Sequence, residues 1–213
     1  MGDGMTSFRL WAPKAKRVDL VLEKSADEDA TRSFHPLEAE ADGYFSGAAP
    51  AEAGALYRFR VDGAELFHPD PASRSQPQGP HRSSAIVDPT SFRWTDARWE
   101  GIHMPGQVIY EMHIGTFTKE GTWRAAAEQL AELADVGITL IEMMPVADFA
   151  GQFGWGYDGV DLFAPTHLYG KPDDLRSFID QAHSLGIGVI LDVVYNHFGP
   201  EGNYLRVFSD DYF

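Results

Sequence analysis

The amino-acid sequence predicts a β plus α/β protein in two parts: an antiparallel β-sandwich, then strand–helix–strand units of a parallel sheet. Three observations carry this. Short apolar or alternating runs, broken by turn signals, fill residues 7 to about 97. From about residue 107 apolar strands alternate with amphipathic helices. Between them, residues 68–89 are rich in Pro, Ser and polar side chains, as a connector should be.

In the first part "FRLWA" and "RVDLVLE" read as strands separated by "PKAK". "YFSGAA" and "ALYRFRVDG" follow. In the latter Leu56, Arg58 and Arg60 alternate with Tyr57, Phe59 and Val61, which puts the two sets on opposite faces of a strand. "DG" and "PAEAG" supply turns. The connector, "HPDPASRSQPQGPHRSSAIVDP", contains Ile86 and Val87 as anchors and is expected to run along the surface.

In the second part "QVIYEMHIGTF" reads as the first strand and "TWRAAAEQLAELADVG" as a helix. Trp123, Ala126, Ala127, Leu130, Leu133 and Ala134 line one helix face, and Gly137 stops it. "ITLIEMMPV" is the second strand, and a long loop, "ADFAGQFGWGYDGVDLFAPTHLYG", follows. The helix "KPDDLRSFIDQAHSLG" opens with Pro172 and two acids that suit the positive end of its dipole. Leu175, Phe178, Ile179, Ala182 and Leu185 form its apolar stripe. "IGVILDVVYNH" is the third strand. Near-continuous apolar strands mean a parallel sheet, with which doubly wound folds and (β/α) barrels both begin. "GTFTKEGTW" is not a Gly-rich phosphate loop, so the nucleotide-binding signal is missing.

Composition narrows the function. The 213 residues are 44% hydrophobic and carry a formal net charge of -15. A phosphate backbone and an anionic membrane surface both call for a basic footprint, so neither nucleic acid nor membrane is an expected partner. A neutral ligand is not disfavoured. Without cysteine, thiolate chemistry and zinc–thiolate sites are excluded. The start shows no basic-then-apolar leader and no apolar run is long enough to span a bilayer, so a cytoplasmic protein is expected.

Polar residues gather where the parallel strands should end. Glu111, His113 and Gly115 share one face of the first strand; Glu142 lies on the second; Asp192, Asn196 and His197 finish the third. In parallel α/β proteins, sites form at this edge. The loop segment "GWGYDG" sets Trp155, Tyr157 and Asp158 between glycines, and aromatic planes beside polar groups suit sugar rings. Taken singly, each polar residue fits a structural hydrogen bond better than a ligand contact, and only the set together points to a site; the loop aromatics fit core packing as well as binding.

"DVVYNH" resembles the signature at the end of the third barrel strand of the α-amylase-type glycoside hydrolases. "FRLWAPKAKRVDLVL" resembles the sandwich that precedes the barrel in branching and debranching enzymes. The resemblance implies an Ig-like, carbohydrate-binding-type β-sandwich over residues 1–97. It implies the first three strands of a (β/α)8 barrel over residues 98–213. "YEMHIGTFTKEGTW", "MPVADFAGQFGWGYDGVDLFAPTHLYG" and "HPDPASRSQPQGPH" resemble the trehalose-releasing branch of that family. An α-glucan or malto-oligosyl trehalose substrate, cleaved at an α-1,4 bond, is implied. A glucan branching enzyme and a non-catalytic α-glucan-binding module are the alternatives.

The resemblance also implies residue roles. Tyr157 would stack on the sugar at the cleavage subsite, His197 would hydrogen-bond its hydroxyls, and Asp192 would orient the site from behind. Trp155 and Asp158 would complete the substrate-binding set, with Glu111, His113 and Asn196 as structural neighbours. Asn196 stands where calcium-dependent amylases place a metal ligand, but no metal and no cofactor are expected in this branch. The catalytic carboxylates of the family follow the fourth, fifth and seventh strands and are expected beyond Phe213. Asp148, Asp158, Asp161, Asp192 and Glu201 match none of them. The chain is therefore expected to be the N-terminal portion of a longer enzyme. With three strands, its sheet edge should also promote association.

Overall fold

A computed structural model describes residues 4–27 and 31–212. Seven strands of the described residues build two antiparallel sheets. One holds β1 (Met5–Trp11), β5 (Tyr44–Pro50) and β4 (Glu38–Ala39), in the order β1-β5-β4. The other holds β3 (Arg32–Pro36), β2 (Val18–Glu23), β6 (Leu56–Val61) and β7 (Ser84–Ala85), in the order β3-β2-β6-β7. Phe8 and Leu10 of β1 and Phe45 of β5 meet Val18 and Leu20 of β2 and Tyr57 and Phe59 of β6 in one core. The alternation in "LYRFRV" is thus a true face assignment: Tyr57 and Phe59 are buried.

Arg58 and Arg60 point the other way and pair with acids of the neighbouring strand. Register sets Asp19 opposite Arg60. Asp19 takes Arg60 and Arg17, each at 2.8 Å, and Glu23 takes Arg58 at 2.6 Å and Arg32 at 2.8 Å. Ser83 of the connector also donates to Glu23. Burial pushes the Glu23 carboxyl up, but the hydrogen bonds from Arg58, Arg32 and Ser83 prevail and hold it below its ordinary value.

The connector is more deeply built in than a surface strap. Asp70, Ser73, Gln76, Ser83 and Ser84 are all buried, because their side chains satisfy one another and the sandwich. Tyr57 Oη donates to Asp70 Oδ2 at 2.7 Å, and Ser73 Oγ donates to Gln76 Oε1 at 2.9 Å.

The parallel sheet contains β8 (Ile109–Met112), β9 (Leu140–Met143) and β12 (Gly188–Leu191) in the order β12-β9-β8. Each is parallel to its neighbour. Sequential order is how a (β/α) barrel starts and rules out the flavodoxin arrangement, where the first strand is internal. Helices α2 (Trp123–Glu128), α3 (Leu130–Asp135) and α4 (Pro172–Ser184) cover the sheet. Trp123, Ala126 and Leu130 are buried with Phe178 and Ala182 in a second core. Among the described residues no helix is long and apolar enough to cross a membrane.

Three details differ from expectation. The first strand ends at Met112, and α1 (Ile114–Phe117) turns away at once. The His113 carbonyl accepts from both Thr116 and Phe117 N–H, which satisfies the backbone in a turn rather than a ladder. Gly115 therefore does not continue a strand face with Glu111. The single helix expected over 122–137 is interrupted at Gln129, which separates α2 from α3. The third strand stops at Leu191. Asp192 N–H still reaches Met143 O at 2.9 Å, where β9 itself ends, so Asn196 and His197 lie in irregular chain.

The stretch expected to be a plain loop contains a small antiparallel pair, β10 (Ala147–Asp148) with β11 (Asp161–Pro165). Beyond the third strand the chain returns to the sandwich. Phe208 of α5 (Leu205–Phe208) enters the sandwich core, and Tyr212 meets Trp11 edge-on at 5.2 Å.

Candidate functional site

The strand ends and the loop between β10 and β11 form one rim. Asp148 and Asp161 pair at the neck of this loop, and Val160 N–H closes it on Asp148 O at 2.8 Å. Gly156 lets the loop lie down. Its φ is +93°, and a Cβ there would run into the Pro145 carbonyl. With glycine occupying the tight place, the neighbouring aromatics face outwards: Trp155 is 76% exposed and Tyr157 40%. Core packing therefore does not account for these two rings.

Tyr157 Oη donates to Asp192 Oδ2 at 3.3 Å. His197 Nε2 lies 2.8 Å from the backbone oxygen of Tyr157; a carbonyl has no proton to give, so Nε2–H donates. Two residues from the segment after the third strand thus grip one loop tyrosine, by its hydroxyl and by its backbone. Glu111 and Glu142 are direct partners across β8 and β9 and add negative charge below it. Partial burial, then Asp192, Glu111 and Glu142, raise the Tyr157 phenol above its ordinary value and keep it a donor.

The remaining candidates fall around this group. His113 sits at the end of β8, with Nε2 2.9 Å from the Gly154 carbonyl. Trp155 and His113 line a cavity of about 550 Å³, together with Met144, Phe149, Phe153 and Tyr169. Asp158 is exposed on the loop, and Asn196 is exposed in the segment after the third strand. Neither is hydrogen-bonded to Tyr157, Asp192 or His197. Among the described residues there is no group of three or more His, Asp or Glu that could hold a metal ion.

Sequence reasoning did not single out Tyr169 or Phe149, and it named Asp148 and Asp161 only among acids that match no catalytic position of the family, not as a buried pair. Asp148 Oδ2 and Asp161 Oδ2 are buried without a hydrogen-bond partner, while His167 Nδ1 lies 3.1 Å from Asp148 Oδ1. Burial raises both carboxyls, and burial with Asp148 and Asp70 nearby pushes Asp161 up to about 8. The available signal was an acid on either side of a loop full of glycines, which reads as ordinary solvated charge until the two strands pair.

The chain resembles known proteins along its whole length. The family model for the alpha amylase catalytic domain matches residues 86–211, and that for carbohydrate-binding module 48, the isoamylase N-terminal domain, matches residues 1–90. It is 46% identical over 212 residues to malto-oligosyltrehalose trehalohydrolase of Deinococcus radiodurans, covering 100% of the chain and 34% of the relative. Identity to the enzyme of the same name from Rhizobium sp. is 48% over 204 residues, 95% of the chain and 34% of the relative. A 1,4-alpha-glucan branching enzyme of Xanthomonas euvesicatoria is more distant, at 36% identity over 95% of the chain and 29% of its own length.

Among solved structures, a candidate alpha amylase from Salmonella typhimurium superposes with a TM-score of 0.88 at 46% identity, over 96% of the chain and 34% of its own. A type I pullulanase from Bacillus subtilis shares the fold, with a TM-score of 0.82 at 22% identity, over 98% of the chain and 34% of its own. The chain spans about a third of the length of the curated trehalohydrolase relatives it matches. An Ig-like sandwich leads into the opening strands of the catalytic barrel, and the catalytic-domain model covers well over half of the chain: it belongs to the alpha-amylase family of glycoside hydrolases.

Proposed function

We propose that this chain is the N-terminal part of a glycoside hydrolase that cleaves the α-1,4 bond of a malto-oligosyl trehalose and releases trehalose. The observation that carries this reading is the grip on Tyr157. An exposed phenol ring, hydrogen-bonded to Asp192 and backed by His197, stands at the carboxyl edge of a barrel-type sheet. Such a ring presents a flat apolar face to a pyranose, while carboxylate and imidazole serve its hydroxyls. The matches to trehalohydrolases over 94–100% of the chain support the choice of substrate.

In this reading Tyr157 stacks on the sugar at the cleavage point and His197 binds its hydroxyls. Asp192 positions the site from behind, and Trp155 and Asp158 extend the binding surface. Glu111, His113 and Asn196 support the site. Residues 1–97 are the sandwich unit and 98–213 the barrel unit. Retaining hydrolysis needs a nucleophilic carboxylate and an acid/base carboxylate about 5 Å apart. We place both in a part of the enzyme beyond Phe213, so this segment acts by positioning substrate. The enzyme is cytoplasmic and serves trehalose formation.

The test is incubation of the longer polypeptide that carries this chain with malto-oligosyl trehalose and, separately, with amylose. Released trehalose is the expected product. New α-1,6 linkages in amylose without trehalose would assign a branching enzyme instead.

A further inference from the structure

The loop between Asp148 and Asp161 is pinned at its far end by a residue that does not itself belong to the Tyr157 group. His113 caps α1 directly after the first strand: its own carbonyl accepts from Thr116 at 3.1 Å and Phe117 at 3.0 Å, so its backbone is fixed to the first turn of α1. Its ring spans the gap to the loop. Nε2 is 2.9 Å from the Gly154 carbonyl and 3.2 Å from Tyr169 Oη. Because a carbonyl only accepts, the proton sits on Nε2 and is shared between Gly154 O and Tyr169 Oη, while Nδ1 faces Thr116 Oγ1 at 3.2 Å. Tyr169 closes the bracket edge-on, its ring 5.9 Å from the imidazole.

Gly154 is also packed closely against a second ring. A Cβ at Gly154 would approach the buried Phe149 ring to 2.8 Å. Gly154 is followed directly by Trp155, Gly156 and Tyr157, so its height over the sheet sets where the next two aromatic rings emerge. Phe153, on its other side, is 93% exposed and provides no anchorage.

We propose that His113 is a positioning residue: its Nε2–H tether to the Gly154 carbonyl holds the loop so that Trp155 and Tyr157 stand at the sheet edge. That the rings are presented to an α-glucan rests on the function proposed above; the tether itself does not. His113 touches no substrate in this scheme and acts through the loop. Tyr169 and Thr116 serve to orient the imidazole, as the partners of a positioning histidine do.

Amide hydrogen exchange of the longer polypeptide that carries this chain, without sugar, tests the tether. In His113→Ala, amides of residues 150–158 are expected to exchange about fivefold or more faster, as follows from losing one hydrogen bond, with sandwich amides unchanged. His113→Gln restores an N–H donor at similar reach and is expected to return loop exchange to within about twofold of the parent. Unchanged loop exchange in His113→Ala overturns the proposal. So does a failure of His113→Gln to restore protection, including the case where His113→Ala loses its fold altogether.

Retention of the longer polypeptide on a maltoheptaose affinity gel then separates the two readings. Retardation weakened by His113→Ala and regained by His113→Gln supports the presentation of the rings to glucan. Retardation that is the same in all three proteins overturns that part. A parent that is not retarded at all overturns the sugar reading, while the exchange result still judges the tether.

Discussion

Tyr157 and Asp192, 35 residues apart in the chain, meet through a 3.3 Å hydrogen bond at the rim of the parallel sheet. The tyrosine arrives on a glycine-relaxed loop and the aspartate one residue after the third strand ends. Removing the hydroxyl tests the relationship. Tyr157→Phe is expected to change stability by less than about 1 kcal/mol, since the pair is open to solvent. In the longer polypeptide it should lower kcat/KM by about tenfold or more, if the ring must be held in orientation to work. Steady-state kinetics beside a urea melt checks both halves, and unaltered kinetics would remove the hydrogen bond from the proposed site.

Gly156 makes the same loop possible. Gly156→Ala places a side chain at φ +93° and against the Pro145 carbonyl. A loss of roughly 1–3 kcal/mol is expected, read as a lower urea midpoint, together with altered tryptophan emission as Trp155 shifts. A melt like the parent's would show that the loop has a second, equally good path.

Asp161 should make stability depend on pH. Its folded carboxyl, raised to about 8 by burial and by Asp148 and Asp70, binds a proton that the unfolded chain has released. The folded state therefore holds more protons, and stability falls as pH rises from about 4 to about 8. Asp161→Asn removes the charge, so its advantage over the parent should grow across that window to a few kcal/mol, on the order set by the displaced pKa. Thermal melts at pH 4, 6 and 8 measure it; an advantage that does not grow with pH contradicts the account.

Glu23 works in the opposite sense. Its folded carboxyl lies below the ordinary value, so the stability it contributes is present above that value and lost as pH falls through the folded one. Glu23→Gln leaves Arg58 and Arg32 without their shared carboxylate and should cost about 2–4 kcal/mol at neutral pH. The gap should narrow on acidification, and denaturant melts at pH 7 and pH 3 decide it.

The outer strands of the parallel sheet have free edges among the described residues. Ile109 on β8 is 45% exposed and Leu191 on β12 is 44% exposed. Apolar open edges pair with other chains, so the 213-residue chain is expected to associate at micromolar concentration. A single sharp monomer in light scattering would contradict this.

Much of this architecture is legible in residue order because its cause is local. The alternation of Tyr57 and Phe59 with Arg58 and Arg60 needs only the two-residue period of a strand. The stripe from Trp123 to Leu130 needs only the helical period, and Gly137 and Gly186, both at positive φ, mark where helices must stop. Strands β3, β4 and β7 carry no such local signal because they are short, half-exposed or set in the connector.

What residue order alone leaves open depends on partners far away in the chain. The third strand ends where its neighbour ends, at the bond from Asp192 to Met143, and no local pattern marks that point. Whether Trp155 and Tyr157 turn inwards or outwards depends on whether Gly156 finds Pro145 beneath it. The residue types at Asp148 and Asp161 look like solvated acids; only strand pairing buries them together and changes their chemistry. Periodicity fixes which face a side chain takes, because that is backbone geometry. Long-range packing selects which faces meet, because burial and hydrogen bonding are settled only once distant segments share the same space.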